Sequence, residues 1–310
     1  MLGKGLETNK TVQILRAAAV GKYGVLAAIA YNVEHILGFV KAAERRHSPL
    51  IIQLFPWAVT YSNGVLVHAA SQAAKQANVP ISVHLDHCQD EDLIKSACDL
   101  PFDSIMVDMS HYSKVDNLAR TKQLVAYCHA KGKATEAEPG RIEGGEDGIL
   151  DTADLSGLMT TYEETRAFID IGVDFLAPAF GNVHGEYGPR GIALEWDRLV
   201  WRAWRSFHKA LDGPAYGLHR LERIHEVAND SGVFVVLHGV NNFPADLFHK
   251  LIAVGITKIN VNRDILSPYY KHLGERCNKV PFTQLLEECV EVVANSMAYH
   301  MDIVLSSGKA

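Results

Sequence analysis

The sequence predicts an α/β chain folded as a (β/α)8 barrel with C-terminal helical additions. Three observations carry that reading. Eight short runs rich in Val, Ile and Leu recur along the 310 residues. Stretches of helical periodicity separate them, the pattern of a parallel sheet covered by helices. Most polar residues able to do chemistry fall just after the runs, where a barrel of this kind keeps its active site.

Strands are expected near Val25–Ala30, Leu50–Leu54, Ile81–Leu85, Ser104–Asp108, Lys133–Ala137, Phe175–Ala179, Val233–Leu237 and Lys258–Val261. Each is a run of the length expected of a buried strand. Helices are expected at Glu34–Arg46, Val65–Gln76, Asp90–Ala97, Lys114–Ala130, Tyr162–Ile171, Leu218–Asn229 and Pro244–Val254, with a C-terminal pair from Pro268 to Ser306. Arg45-Arg46-His47 places cations at a helix C-terminus, where the helix dipole favours them. Two long connections, Glu138–Thr160 and Ala179–Leu194, are rich in glycine and lack periodicity, as lids and binding loops do. No repeat or low-complexity linker interrupts the chain, so residues 1–310 read as one domain. An open doubly wound sheet is the alternative.

Composition narrows the function. Hydrophobic residues make up 48% and charged residues 21%, ordinary for a globular protein. The net charge of −6 argues against binding nucleic acid or an anionic membrane. The longest apolar runs are well short of the roughly 20 residues of a membrane span. The N-terminal residues lack the apolar core of a secretory signal. The five cysteines, Cys88, Cys98, Cys128, Cys277 and Cys289, are scattered without Cys-x-x-Cys spacing. They read as reduced thiols, and a cytoplasmic location is expected.

His87, His184 and His238 each follow a short β-branched run or its glycine-containing turn. Three imidazoles at the ends of three strands can converge, and three with an open fourth position form a ligand set of catalytic zinc. Asp86 beside His87 adds a carboxylate suited to proton transfer. Asp108, Glu136, Glu138 and Asn260 also fall at strand ends, while Gly181, Gly185 and Gly239 allow backbone N–H groups to approach a phosphate. A Schiff-base lysine is the competing route to carbon–carbon bond chemistry. Lys133 and Lys258 are the candidates, placed by this reading at strand starts, away from the catalytic rim.

Four segments in order give a resemblance to the class II, metal-dependent ketose-bisphosphate aldolases. They are His84-Leu85-Asp86-His87, Glu136-Ala137-Glu138 with Gly144-Gly145-Glu146-Asp147, Phe180-Gly181-Asn182-Val183-His184-Gly185, and Leu237-His238-Gly239. The likeness runs from Tyr31-Asn32 to the terminal Ser307-Gly308-Lys309-Ala310. It implies that His87, His184 and His238 hold a catalytic zinc, with Glu138 and Asp108 beside an alternative buried metal position. Asp86 would be the acid/base at the aldol hydroxyl, and Glu146 would exchange the proton of the three-carbon fragment. Asn32, Gly181, Gly239, Asn241, Asn260 and Arg263 would line the substrate and its phosphate, with a sodium or potassium ion nearby. The implied partners are a phosphorylated ketose or aldehyde and further copies of the chain, as a dimer or tetramer.

The chain departs from that family where the substrate binds. Asn241 stands for a serine and Arg263 for a threonine; Arg263 still offers a cation to a phosphate. Phe55 stands for the serine after the second strand and would reshape the pocket. Pro139 and Glu143 alter the second signature, a lysine after His184 is missing although Arg190 is close, and no Asp-Pro-Arg segment is visible around 279–282. A lyase or isomerase of the same scaffold with another substrate, or an inactive metal-binding paralogue, are therefore the alternatives. Trp196, Trp201, Trp204 and Phe207 read as packing. Arg198, Arg202, Arg205, Lys209 and Arg220 read as a solvated helix face.

Overall fold

The computed structural model describes residues 5–142, 144, 159–185, 187, 191–192, 194 and 231–310. Eight parallel strands close into a barrel in sequence order, β1 to β8, and β1 pairs with β8. They are β1 (Val25–Ile29), β2 (Leu50–Leu54), β3 (Ile81–Cys88), β4 (Ser104–Val107), β5 (Ala134–Ala137), β6 (Phe175–Leu176), β7 (Phe234–Leu237) and β8 (Ile256–Val261). The described helices are α1 (Lys10–Gly21), α2 (Val33–Arg46), α3 (Pro56–Tyr61), α4 (Val65–Gln76), α5 (Glu91–Ala97) and α6 (Lys114–Ala130). They continue with α7 (Tyr162–Asp170), α8 (Ala245–Ala253), α9 (Arg263–Arg276) and α10 (Phe282–Ile303). The barrel with its C-terminal helices is the architecture the sequence predicts; the helix expected at 218–229 lies outside the described residues.

The differences have local causes. β6 ends at Leu176 rather than Ala179 because Pro178, two residues on, has no N–H to continue the ladder. β3 runs on to Cys88 through a register shift between Leu85 and Cys88. β8 begins two residues earlier than expected, so Lys258 is its third residue and is fully buried. The expectation that Lys258 stands at a strand start, outside the working part of the barrel, is thus corrected. Pro268 falls inside α9, which starts at Arg263 instead of at the proline.

Two helices were not expected from the sequence. In α1 the Asn9 side chain accepts from Val12 N as the N-cap. Its apolar face, including Val12, Ile14, Leu15 and Ala18, belongs to the same buried cluster as Val25, Ala27, Ile51, Met106, Phe175 and Val236. Thr11 Oγ1 meets Ser104 Oγ at 2.9 Å, so α1 plugs the N-terminal mouth of the barrel. The short α3 starts with Pro56 at its first turn, where a missing N–H does no harm.

Successive strand residues alternate between the barrel axis and the helices, and along the axis the chemistry changes with height. In β4 and its continuation the alternate positions are Ser104, Met106 and Asp108; in β5, Ala134, Glu136 and Glu138; in β7, Phe234, Val236 and His238. Small or apolar side chains occupy the lower positions, and buried acids and imidazoles crowd the upper end. That polarity gradient gives the barrel one reactive face. Outside the sheet, α10 lies along α2 so closely that a Cβ on Gly38 would meet Val293 at 2.6 Å.

Candidate metal centre and active site

The three histidines singled out in the sequence meet at the upper mouth of the barrel. His87 Nε2 lies 3.1 Å from His184 Nε2 and 2.9 Å from His238 Nδ1, and His184 Nε2 lies 3.3 Å from His238 Nδ1. Nitrogens bound tetrahedrally to zinc at 2.0–2.1 Å would stand about 3.3 Å apart. The spacing therefore fits one shared ion, with slight expansion on binding.

Each ring is turned by a second partner. His87 Nδ1 is 2.9 Å from Asp108 Oδ2, and His238 Nε2 is 2.8 Å from Glu136 Oε1. A carboxylate only accepts, so each ring donates a proton there and turns its other nitrogen toward the point where the three rings converge. His184 is tied to the backbone of Ile142. Asp108 is itself anchored, its Oδ1 accepting from Ser110 Oγ at 2.6 Å and Ser110 N at 3.1 Å.

The backbone is shaped to the same end. His87 has φ 41°, a left-handed conformation rare outside glycine, within the irregular end of β3. The bulge re-aims the ring from the strand toward its partners. Gly239 has φ 69°, and a Cβ there would lie 2.2 Å from Val183 O. Only glycine lets the loops after β6 and β7 touch. Asn182 and Tyr187 stitch the same contact, with Asn182 Nδ2 donating to His238 O at 3.1 Å and Tyr187 Oη to Gly239 O at 2.6 Å. The sequence reading gave neither residue a role; their signal was only position within a glycine-rich motif.

Electrostatics separate the three histidines. Burial, then the His87 charge, push His184 and His238 well below the usual imidazole range, so both are neutral and ready to ligate. Burial also works to lower His87, but Asp86, Asp108 and Glu138 outweigh it and raise its pKa well above normal. Asp108 is held below the usual carboxylate range: burial works to raise it, but its His87 and Ser110 bonds win.

Asp86 and Glu138 flank this centre. Asp86 is fully buried; Oδ1 accepts from Asn260 Nδ2 at 3.3 Å, while Oδ2 has no protein hydrogen-bond partner. Burial pushes its carboxyl upward, against the pull of His87 and Lys258. Glu138 accepts from Ile142 N with one oxygen, and its other oxygen is 4.0 Å from His87 Nδ1 and otherwise unpartnered. Burial and the Asp108 charge raise it well above the normal carboxyl value. His87, Asp108 and Glu138 thus form a second group with metal-ligand spacing, using the opposite nitrogen of the His87 ring.

A pocket opens beside the histidines, lined among others by His184, Gly239, Asn241, Asn260, Asn262 and Arg263. Arg263 is the first residue of α9, so a cation and a helix N-terminus face the same space, a combination suited to an anion. Asp264 also lines it; its Oδ1 accepts from Asn242 N at 3.4 Å and its Oδ2 lies 3.8 Å from His300. Gly181, with φ 100°, turns the chain after β6. Asn32 is engaged at both ends of its amide, capping α2 through His35 N at 2.9 Å and donating to Tyr269 Oη at 2.9 Å. Glu146, Arg190 and the cluster from Trp196 to Arg220 lie outside the described residues.

Comparison with known proteins agrees with this geometry. The profile of the family described as "Fructose-bisphosphate aldolase class-II" matches residues 9–309. A Coccidioides immitis (strain RS) protein named "Putative fructose-bisphosphate aldolase" is 44% identical over 313 residues, covering 98% of this chain and 96% of that protein. A Streptococcus pyogenes serotype M3 fructose-bisphosphate aldolase is 32% identical, covering 81% of this chain and 78% of its own. A crystal structure from Coccidioides immitis superposes with a TM-score of 0.87 at 45% identity, covering 98% of both chains. With the profile spanning nearly the whole sequence, the chain belongs to the class-II fructose-bisphosphate aldolase family.

Proposed function

We propose that the chain is a zinc-dependent aldolase that reversibly cleaves a phosphorylated ketose, of the fructose 1,6-bisphosphate kind, into dihydroxyacetone phosphate and an aldehyde. The observation that carries the proposal is the convergence of three imidazole nitrogens within 2.9–3.3 Å, next to the buried, half-partnered carboxylate of Asp86. His87, His184 and His238 would hold the ion, and zinc bound there supplies Lewis acidity to the substrate carbonyl.

The residues of the chain do the rest. Asp86 takes the proton of the substrate hydroxyl as the carbon–carbon bond breaks and returns it in condensation. Its raised pKa brings it toward the working range of such a proton carrier. Gly181, Gly239, Asn241, Asn260 and Arg263 receive the phosphorylated half, with a sodium or potassium ion near that phosphate. Asn32 lines the substrate as well and also caps α2. Glu146 exchanges the proton of the three-carbon fragment, and Asp108 with Glu138 and His87 form the alternative metal position. Homo-oligomers, dimer or tetramer, in the cytoplasm complete the reading. Among the described residues no helix is long and apolar enough to cross a membrane.

The test is cleavage of fructose 1,6-bisphosphate by zinc-loaded protein beside a chelator-treated control. Chelator-sensitive turnover is the expected result. A protein that holds zinc yet turns over no phosphorylated ketose would be the inactive paralogue instead.

A second reading keeps the chemistry and changes the substrate. The Tyr31 ring lies 5.5 Å from Phe55, Phe55 stacks at 5.7 Å on Trp57, and Trp57 stacks at 4.7 Å on Tyr61. Phe55 follows Leu54, which pairs with Leu85, so this aromatic wall stands at the height of Asp86. Such a wall favours an uncharged, flat aldehyde over a phosphorylated one. Under this reading Phe55→Ser raises kcat/KM for fructose 1,6-bisphosphate about tenfold, measured by coupled assay. An unchanged value would return the assignment to the bisphosphate.

A further inference from the structure

We propose that Lys258 is a positioning residue of this site, its single ammonium orienting both the metal-facing ring of His238, through Glu136, and the Asn260 amide that holds Asp86. The inference rests on the proposed metal centre and adds to it a residue one layer below.

The geometry runs along two arms. Lys258 is fully buried in the barrel, and its Nζ lies 2.8 Å from Glu136 Oε2 and 2.8 Å from Asn260 Oδ1. Glu136 is also fully buried, and a buried carboxylate needs a counter-charge. Among the described residues, Lys258 is the lysine that supplies it. With Oε2 on Lys258, Oε1 is left for His238 Nε2 at 2.8 Å. An acceptor there fixes the proton on Nε2 and leaves the Nδ1 lone pair directed at His87 and His184. Lys258 meets Glu136 Oε2 as an ion pair at 2.8 Å, and His84 Nε2 stands farther off, 3.4 Å from the same oxygen.

The second arm settles an amide. Lysine has only donors, so the group of Asn260 that faces it is the oxygen. The Asn260 NH2 must then point away from Lys258; it meets Asp86 Oδ1 at 3.3 Å and lies over the edge of the His238 ring, 3.2 Å from Nε2 and 3.4 Å from Nδ1. One cation thus sets a lone pair on the metal side and a donor on the acid/base side. A Schiff-base role does not fit the same atoms, because the ammonium is already held between a carboxylate and an amide oxygen.

A plain core ion pair would hold the barrel together without tuning the site, so the test reads the site and the fold separately. The variant Lys258→Met/Glu136→Gln removes both charges at similar volume, which a barrel core tolerates better than one unpaired charge. We expect it to fold, by circular dichroism and thermal midpoint. Its zinc affinity should fall about 10–100-fold in competition with a chromophoric chelator, and the visible spectrum of its cobalt-loaded form should change. For any ketose turned over, kcat should drop more than KM changes. A folded variant with unaltered zinc affinity and cobalt spectrum would overturn the role of Lys258.

A second measurement needs no variant of the pair. Nitrogen-15 shifts of labelled histidine in the unmutated protein, with His238 assigned by His238→Ala, should show its proton on Nε2; a proton on Nδ1 refutes the proposal. If the unmutated protein took up no zinc, the metal centre itself would fail. Equal uptake by both proteins would instead discard Lys258 alone.

Discussion

Replacing Asp86 with asparagine is expected to lower kcat by about 10²–10⁴-fold, the usual contribution of a positioned acid/base group, while zinc content and folding hold. The asymmetry follows from where Asp86 sits. Its Oδ1 takes a hydrogen bond from Asn260, and an asparagine oxygen accepts the same bond. The other oxygen has no protein partner, so an NH2 in its place breaks no contact. The residue is fully buried, so removing its charge relieves a desolvation cost and the thermal midpoint should not fall. What is lost is the capacity to accept a proton from a hydroxyl. Steady-state turnover of a proven ketose, zinc by atomic emission and a melting curve make the check. A kcat within tenfold of the unmutated protein would remove Asp86 from the mechanism.

The barrel was legible because its strands are short apolar runs at regular intervals, and the ends of those runs located His87, Asp108, Glu138 and His238 to within a residue or two. The fit of the site was not. Nothing in His84-Leu85-Asp86-His87 announces a bulge or a positive φ, yet both aim the His87 ring. Lys258 looked remote from the rim because one sequence shows a lysine's neighbours along the chain, not the Glu136 that faces it across the barrel. The helix α1 was missed for a related reason: it precedes the first strand, and its apolar face is spent on the barrel mouth rather than on a neighbouring strand–helix unit. Asn32, placed by its motif beside the substrate, has a second role that its position before a helix could have announced: it caps α2 and donates to Tyr269. Phe55 gained meaning only with Tyr31, Trp57 and Tyr61 stacked around it.

The second large effect is expected from His184→Ala, which should abolish zinc-dependent turnover and weaken zinc binding by several orders of magnitude, because two imidazoles remain where three converge. His184 is the cleanest ligand to remove. His238 has the Glu136–Lys258 pair behind it and His87 has Asp108 and Glu138, so deleting either takes a partner from a buried carboxylate. His184 bonds the backbone of Ile142, and a melting curve of the metal-free variant is expected to stay near that of the unmutated protein. The unmutated protein should gain thermal stability on zinc addition, by about 4 kcal/mol at a thousandfold excess over Kd, and the variant should gain far less. Proton release gives the same argument a sign. In the metal-free protein the surrounding carboxylates keep His87 charged well above the usual imidazole pKa. Zinc must take the neutral ring, so binding expels that proton and tightens as pH rises, up to tenfold per unit below the raised pKa. Titration calorimetry in two buffers of different ionisation enthalpy measures the proton count. A count of zero near neutral pH would mean that the carboxylates around His87 do not hold it charged, and that the ring enters the metal site already neutral.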